Sequence, residues 1–459
     1  MSQSGTGEPW RVTSTRTATV QQAIDEIGHG RFQRRLLAVC GVTWAADAAE
    51  VLLVGFALPS IRAEFGLDAV TGGLLATAGF VGMLLGAWFW GPAADRIGRR
   101  RGFVVTVAIF AVFGLAAAFA PSPGWLMAFR FLAGFGLGGA LPLDFSLYAE
   151  YLPSHNRGRR LVLLESFWAL GTIVAAGLAW VLVPTVGWRP LMATSAVAAL
   201  LVLWIRARVP ESPRWLVVAG RADEAREVIA RVAAVNGRPM PADVIVPEPP
   251  AERVGVRTLF VPRLRRVTVV LWLAWFGIAL GYYGLFSWLP SVFVQQGYSF
   301  LASYGYAFVL ALAQVPGYFS AAWLIERWGR RPTIVTYLLV SAAGTFVFAF
   351  APGTALLLVG GIAMSAFSLG AWGALYAYTP ELYPTSVRGT GFGAASGMSR
   401  IAGALAPVIG GVLLASSLVL PLSVYALGFL LGAAAVGLLG VETRGRPLQD
   451  VLVAEAATR

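Results

Sequence analysis

Twelve long apolar runs govern what this chain can fold into. They cover roughly 36–58, 71–91, 102–119, 125–149, 161–183, 190–205, 267–289, 303–325, 333–350, 354–378, 391–415 and 420–440. Most reach the ~20 residues that a helix needs to cross a bilayer. The sixth run is short, but Arg189 and Arg206 at its ends can snorkel to the interface. Backbone amides in hydrocarbon must pair internally, so spans of this length are helices. The strands of a membrane barrel would be about ten residues long and would alternate in polarity. Composition excludes a soluble domain as well. Charged residues make up 13% of the chain and apolar residues 57%, whereas soluble domains carry about 25% charge.

The basic residues are all arginine, and their distribution sets the orientation. All but four lie in segments on one side of the runs. Arg62 and Arg189 fall in loops on the other side, and Arg130 and Arg400 fall inside runs. The positive-inside rule therefore predicts that both termini are cytoplasmic. The net charge of +12 reads as a topology signal whose partners are anionic headgroups. A nucleic-acid binder would gather its charge on one exposed face, so no such partner is expected. Residues 1–20 are polar and lack an apolar core and a cleavage site, which predicts a disordered tail and no signal peptide. Cys40 is the only cysteine, which leaves packing as its role and excludes a disulfide or a cysteine metal site. Short outer loops and an all-arginine basic set fit a bacterial inner membrane.

The hydrophilic stretch 206–266 halves the chain. Within it, residues 222–235 read as an amphipathic helix with Ala225, Val228, Ile229 and Val232 on one face. Pro239, Pro241, Pro247, Pro249 and Pro250 then predict an extended linker. The predicted units are a tail with an amphipathic lead-in (1–35), a six-helix bundle (36–205), the cytoplasmic linker (206–266), a second bundle (267–440) and a tail (441–459).

The halves repeat at a shift of 231 residues. Asp95-Arg96-x-Gly98-Arg99-Arg100 falls on Glu326-Arg327-x-Gly329-Arg330-Arg331. Glu150-x-x-Pro153-x-x-x-Arg157-Gly158 falls on Glu381-x-x-Pro384-x-x-x-Arg388-Gly389, Glu211 falls on Glu442, and Trp44 falls on Trp275. Such symmetry marks transporters whose two halves rock about a site near the midplane. The expected fold class is thus an all-α membrane protein of twelve transmembrane helices in two pseudo-symmetric bundles.

These motifs resemble the major facilitator superfamily. Asp95 to Arg100 resembles its loop signature, and Pro210-Glu211-Ser212-Pro213-Arg214 and Glu442-Thr443-Arg444-Gly445-Arg446 resemble signatures of its sugar-porter-like branch. The second has Val441 where that branch usually has proline. The lead-in Ile24-Asp25-Glu26-Ile27-Gly28-His29-Gly30-Arg31-Phe32-Gln33 is similar to that of synaptic-vesicle-2-related proteins and their bacterial relatives. Ala45-Ala46-Asp47-Ala48-Ala49-Glu50 and Tyr282-Tyr283-Gly284 share that similarity. The resemblance spans about residues 20–448. It implies a transporter, and the bacterial members include carriers of niacin and other small aromatic acids.

Each acid-Arg-x-Gly-Arg-Arg turn sits at the cytoplasmic mouth. Asp95, Arg99, Glu150 and Arg157, with Glu326, Arg330, Glu381 and Arg388, are expected to form ion pairs that gate this mouth. The bland alternative is headgroup anchoring by arginine.

Six charges fall inside the runs: Asp47, Glu50, Arg130, Asp144, Glu165 and Arg400. Charge in hydrocarbon costs several kcal/mol, so each is a functional candidate. None has a charged equivalent in the other half. Asp47 and Glu50 share a helix face. Two neighbouring buried carboxyls do not both ionise readily, which suits a proton carrier. Arg130 precedes Glu150 by the spacing at which proton-coupled sugar porters carry their helix-four arginine. The resemblance implies that Arg130 pairs with a helix-one aspartate, here Asp47. A static ion pair is the alternative. Asp144 and Glu165 fit either the gate or, for Glu165, ligand orientation.

Arg400 lacks an acid within its own half's runs, so a substrate carboxylate fits its guanidinium fork. Capping of backbone carbonyls would serve equally. Trp168, Tyr282, Tyr283, Trp372 and Tyr376 are expected to line a site for a flat ligand, with Trp44 a weaker candidate. Gln314, Ser365, Ser368 and Ser396 would hydrogen-bond the ligand or their own helices. Gly134-x-Gly136-x-Gly138-Gly139 is read as helix packing. No cofactor, metal site or enzymatic nucleophile is expected, and the chain is expected to be a monomer. The preferred expectation is proton-coupled import of a small aromatic carboxylate such as nicotinate. A sugar or polyol porter and a non-transporting ligand receptor are the alternatives.

Overall fold

The computed structural model describes residues 16–155, 157–241, 244–246, 255–384 and 387–444. The polar stretch 1–15, Pro247, Pro249 and Pro250 of the linker, and the tail from 445 onward lie outside the described residues.

In chain order the helices are α1 (Val20–Ile27), α2 (Arg31–Phe65), α3 (Ala69–Ile97), α4 (Arg99–Ala117), α5 (Pro123–Glu150), α6 (Arg157–Glu165), α7 (Phe167–Val186), α8 (Trp188–Ala193), α9 (Val197–Arg208), α10 (Pro213–Val218) and α11 (Ala222–Asn236). After the linker come α12 (Pro262–Gln295), α13 (Phe300–Leu312), α14 (Gln314–Arg327), α15 (Arg330–Phe350), α16 (Thr354–Leu382), α17 (Arg388–Leu414) and α18 (Val419–Ala434). They supply 12 spans long and apolar enough to cross a membrane, each within a few residues of a predicted run. The fifth span divides into α6 and α7 at Ser166, and the eighth into α13 and α14 at Ala313. An even number of crossings returns the chain to the face it started from, called here the terminal face.

Helices α3, α4 and α5 pack together in the first bundle with α2 on α7; α15, α16 and α18 do so in the second with α12. Between the bundles, α3 packs on α17, α2 on α12 and α7 on α13. The face opposite the termini is stitched across this seam. Thr77 donates to the Ala404 carbonyl at 2.7 Å, and Tyr304 to the Phe56 carbonyl at 2.7 Å. Arg62 lies over the Trp288 ring at 5.7 Å. The glycine run in α5 is a packing surface: a Cβ at Gly134 or Gly138 would run into the Gly79 or Met83 carbonyl of α3.

A small subdomain covers the terminal face of the first bundle. Residues 17–20, expected in a disordered tail, are ordered. Strand β1 (Thr17–Thr19) pairs in parallel with β2 (Val244–Val246). Helix α1 opens on a capping box from Thr19 and Gln22, which satisfies two amides reciprocally. Helix α11 falls where the periodicity predicts and buries Ala225, Val228, Ile229 and Val232. Asn236 at its end accepts from the Phe32 amide at 2.9 Å and donates to Gln33 Oε1 at 2.9 Å. The linker helix therefore caps α2. Asp25 accepts from the Ser154 amide at 2.6 Å, which ties the lead-in to the loop after α5.

Candidate functional site

The centre of the molecule is a layer of aromatic rings contributed by both bundles. Trp168 at the start of α7 donates to the Tyr282 hydroxyl of α12 at 2.9 Å. Tyr282 and Tyr283 each lie 5.6 Å from the Trp372 ring of α16. Trp275 stands edge-on to Trp372 at 5.8 Å and to Tyr376 at 4.9 Å. Such tilted and edge-to-face pairs suit the ring quadrupoles. On the first-bundle side, Phe145 stacks on Phe392 at 6.3 Å and meets Trp44 at 6.0 Å and Tyr376 at 6.1 Å. Phe80 packs edge-on to Tyr283 at 4.8 Å. The structure thus brings together Trp168, Tyr282, Tyr283, Trp372 and Tyr376, and Trp44 joins the same layer.

Sequence reasoning missed Phe145, Phe392 and Phe80. Trp275 had a signal, since it is the repeat mate of Trp44. The phenylalanines had none, because one Phe in an apolar run resembles any other.

The polar candidates divide. Gln314 opens α14 beside the break at Ala313, and its Nε2 reaches the Tyr282 hydroxyl at 3.4 Å. Its Oε1 is buried without a hydrogen-bond partner. Ser396 bonds the Gly393 carbonyl of its own helix at 3.2 Å. Ser365 donates to the Leu310 carbonyl at 2.5 Å and Ser368 to the Ser365 carbonyl at 3.2 Å. Arg400 sits beside Tyr283 and Tyr376, and the acids in its electrostatic reach are Asp47 and Glu165 of the other bundle. The apolar runs of its own half do lack an acid, yet the bundle interface faces it with two.

Helix-one acids depart from the pairing the resemblance implies. Arg130 binds Glu50, not Asp47: Nη1 donates to the Glu50 carboxylate, and Nη2 to the Glu50 carbonyl at 2.9 Å. Ser195, between α8 and α9, donates to the other carboxylate oxygen. Arg130 enters from the opposite-face end of α5. Glu50 lies one turn further toward that end of α2 than Asp47, which puts it level with the guanidinium. The pair is 3% and 2% exposed. Asp47 is fully buried and neither carboxylate oxygen has a hydrogen-bond partner. Asp144 is fully buried as well; the Cys40 thiol, a weak donor, lies beside its carboxyl, which has no stronger hydrogen-bond donor among the described residues. Glu165 is buried at the end of α6, with Oε2 unpartnered.

The motif charges at the terminal face obey the repeat closely. Arg99 pairs with Asp95 at 2.8 Å and with Glu150 at 3.7 Å. Its mate Arg330 pairs with Glu326 at 3.1 Å and with Glu381 at 3.1 Å. Ser212 donates to Glu150, and its mate Thr443 to Glu381 at 2.5 Å. Glu211 accepts from the Arg100 amide at 2.8 Å, and Glu442 from the Arg330 and Arg331 amides at 3.0 and 2.9 Å. Each carboxylate thus caps the first turn of α4 or α15, where free amides and the helix dipole favour an anion. Gly98 and Gly329 make this possible. Their φ values of 105° and 107° suit glycine, and a Cβ at either would collide with the capping carboxylate.

All these pairs run within one bundle. Arg388, expected as an ionic partner, instead reaches back to helix-end carbonyls, and Arg157 makes a like contact. Arg157 donates to the Leu152 carbonyl at 2.8 Å and to Gln21 at 2.5 Å; Arg388 donates to the Pro380 and Tyr383 carbonyls at 2.9 and 3.3 Å. Each follows a proline turn that leaves those carbonyls without intrahelical donors.

Two six-helix bundles carry doubled loop motifs at the terminal face and meet at a central aromatic layer. The family described as "Sugar (and other) transporter" matches residues 32–453. The chain belongs to this family of the major facilitator superfamily. It is a multi-pass membrane transporter of a small molecule and not an enzyme. It is 40% identical to "Niacin transporter NiaP" of Acinetobacter baylyi over 93% of this chain and 98% of that relative. It is 35% identical to the "Synaptic vesicle 2-related protein" of Bos taurus over 95% of this chain and 83% of that one. Among solved structures, a partially occluded inward-open form of the xylose transporter XylE from E. coli matches with a TM-score of 0.74 at 18% identity. That match covers 91% of this chain and 99% of that one.

Proposed function

We propose that this transporter imports a small aromatic carboxylate, with nicotinate the best candidate, together with protons. The observation that carries the reading is the aromatic layer with Arg400 at its edge. Flat rings from both bundles meet there, so a flat ligand held between them would be exchanged between faces as the bundles rock. Arg400 offers the bidentate fork that a carboxylate takes. The similarity to "Niacin transporter NiaP" supports the same substrate class.

Proton coupling rests on the three helix-one and helix-four groups. In the Glu50–Arg130–Ser195 set both Glu50 carboxylate oxygens are engaged, and the Arg130 bonds hold α2 to α5. Asp47 has no donor to its carboxylate and is therefore the group with room for a proton. Protonated Asp47 lets the seam close; its deprotonation returns a carboxylate that competes with that of the substrate for Arg400. Arg99, Arg330, Glu150 and Glu381 form the cytoplasmic gate by bracing each bundle's mouth. The arginine distribution supports a plasma membrane of bacterial type with the terminal face in the cytoplasm, anionic lipids at the arginines, and a monomeric carrier.

Uptake of labelled nicotinate and labelled glucose into proteoliposomes tests the substrate class. Saturable nicotinate uptake that excess benzoate-type acids inhibit, with no glucose uptake, is expected. Glucose uptake without nicotinate uptake would make it a sugar porter. Nicotinate binding without any uptake would make it a receptor.

A further inference from the structure

A line of buried polar atoms without partners runs along the seam between α2 and α5. From the aromatic layer toward the terminal face it comprises both carboxylate oxygens of Asp47, Trp44 Nε1, both carboxylate oxygens of Asp144, and the Tyr148 hydroxyl. Asp47, Asp144 and Tyr148 show 0% exposure and Trp44 4%. Native proteins rarely leave such atoms unpaired, and each one calls for an explanation. Four side chains on two packed helices share the condition here, while Glu50, one turn from Asp47 on α2, has both carboxylate oxygens engaged by Arg130 and Ser195.

We propose that Asp144 is a second proton station, which takes the proton from Asp47 and releases it at the terminal face past Tyr148. This rests on the proton-coupled reading above. The geometry supports the order of the stations. Asp144 lies six residues before the end of α5 at Glu150, about 9 Å along the axis at 1.5 Å per residue. Cys40, beside Asp144, precedes Asp47 by seven residues of α2, or about 10 Å. Trp44 occupies the interval. The transfer balances simply. The O–H bond of protonated Asp47 breaks, water admitted by an opening terminal face relays the proton, and an O–H bond forms on the Asp144 carboxylate. Asp144 then yields its proton to the aqueous mouth, and the charge left on Asp47 faces Arg400.

Cys40 and Asp47 of α2 face Asp144; Tyr148 lies one turn further along α5, with Cys40 and Arg160 of α6 near its hydroxyl. A proton suits the seam better than a metal ion. Among the described residues no group of three His, Cys, Asp or Glu side chains is placed to hold one, and a sodium- or calcium-sized ion needs about six oxygen ligands.

The test uses the full chain in proteoliposomes and reads two processes. Net uptake of labelled nicotinate driven by an inward proton gradient requires proton release. Exchange of labelled for unlabelled nicotinate at equal pH requires none. Asp144→Asn is expected to lower gradient-driven accumulation at least tenfold and leave exchange within about twofold of wild type. Asp144→Glu is expected to restore part of the accumulation, and Tyr148→Phe to slow it severalfold. Accumulation by Asp144→Asn equal to wild type would overturn the proposal. So would loss of both processes in a variant that still elutes as a monodisperse, wild-type-sized particle, because Asp144 would then be structural. A wild-type protein that takes up nicotinate with no response to the gradient would remove the coupling reading itself, and this one with it.

Discussion

Glu50 and Asp47 sit one turn apart on α2, yet the structure assigns them opposite energetic roles, and substitution should separate them. Glu50 anchors a buried pair that is 2% exposed on its side and 3% on the side of Arg130. Glu50→Ala removes the carboxylate that Arg130 and Ser195 both address, and leaves a guanidinium buried without its counter-charge. Breaking one partner of a buried pair costs about 3–5 kcal/mol. With about 2 °C of midpoint shift per kcal/mol for a large chain, the thermal midpoint in detergent should fall by about 6–10 °C. Arg130→Leu should cost a similar amount. The double variant Glu50→Leu with Arg130→Leu buries no orphan charge and should recover most of the loss, as apolar replacement of a whole buried pair is often neutral. Asp47→Asn is the contrast. Its oxygens have no donor to lose, so its midpoint should stay at or above that of wild type. Tryptophan fluorescence or dye-based melts of all four variants in one detergent provide the assay. Midpoints of Glu50→Ala and Arg130→Leu within about 2 °C of wild type, or a loss in the double variant equal to the sum of the singles, would refute the reasoning.

Other outcomes follow from the same geometry. Arg400→Ala should weaken nicotinate binding at least tenfold, the scale of one charge-assisted bidentate contact. It should leave binding of nicotinamide, which lacks the carboxylate, nearly unchanged; isothermal titration reads both. Trp168→Phe removes the donor to Tyr282 and should raise the apparent KM for uptake severalfold with protein yield intact. Gly98→Ala forces a side chain into a backbone region that costs about 1–3 kcal/mol and into the space of the Glu211 carboxylate. It should therefore lower the thermal midpoint more than Gly158→Ala, where a Cβ meets nothing within 4 Å.

Much of this was legible in the sequence for identifiable reasons. The spans follow from run length, because hydrocarbon leaves the backbone no partner but itself. Helix α11 follows from the spacing of Ala225, Val228, Ile229 and Val232. The paired charges at the terminal face follow from repetition: Arg99 with Glu150 and Arg330 with Glu381 occupy matching registers. What escaped depended on rotation and depth. The one-turn difference between Asp47 and Glu50 decides which acid meets Arg130, and no spacing rule fixes the relative height of α2 and α5. Arg388 looks like an ionic partner by charge, but its proline turn exposes the Pro380 and Tyr383 carbonyls within closer reach. Strand β1 escaped because three residues, Thr17–Thr19, gain order only by pairing with Val244–Val246 over two hundred positions away.

The most direct measurement of the central claim is accumulation of labelled nicotinate in proteoliposomes of the wild-type protein under an imposed inward proton gradient. Internal pH is followed in the same vesicles. The account predicts that nicotinate rises above its external concentration and that the interior acidifies in step with it. Both effects should vanish when an ionophore collapses the gradient. Nicotinate that only equilibrates, with no acidification that depends on it, would contradict the account.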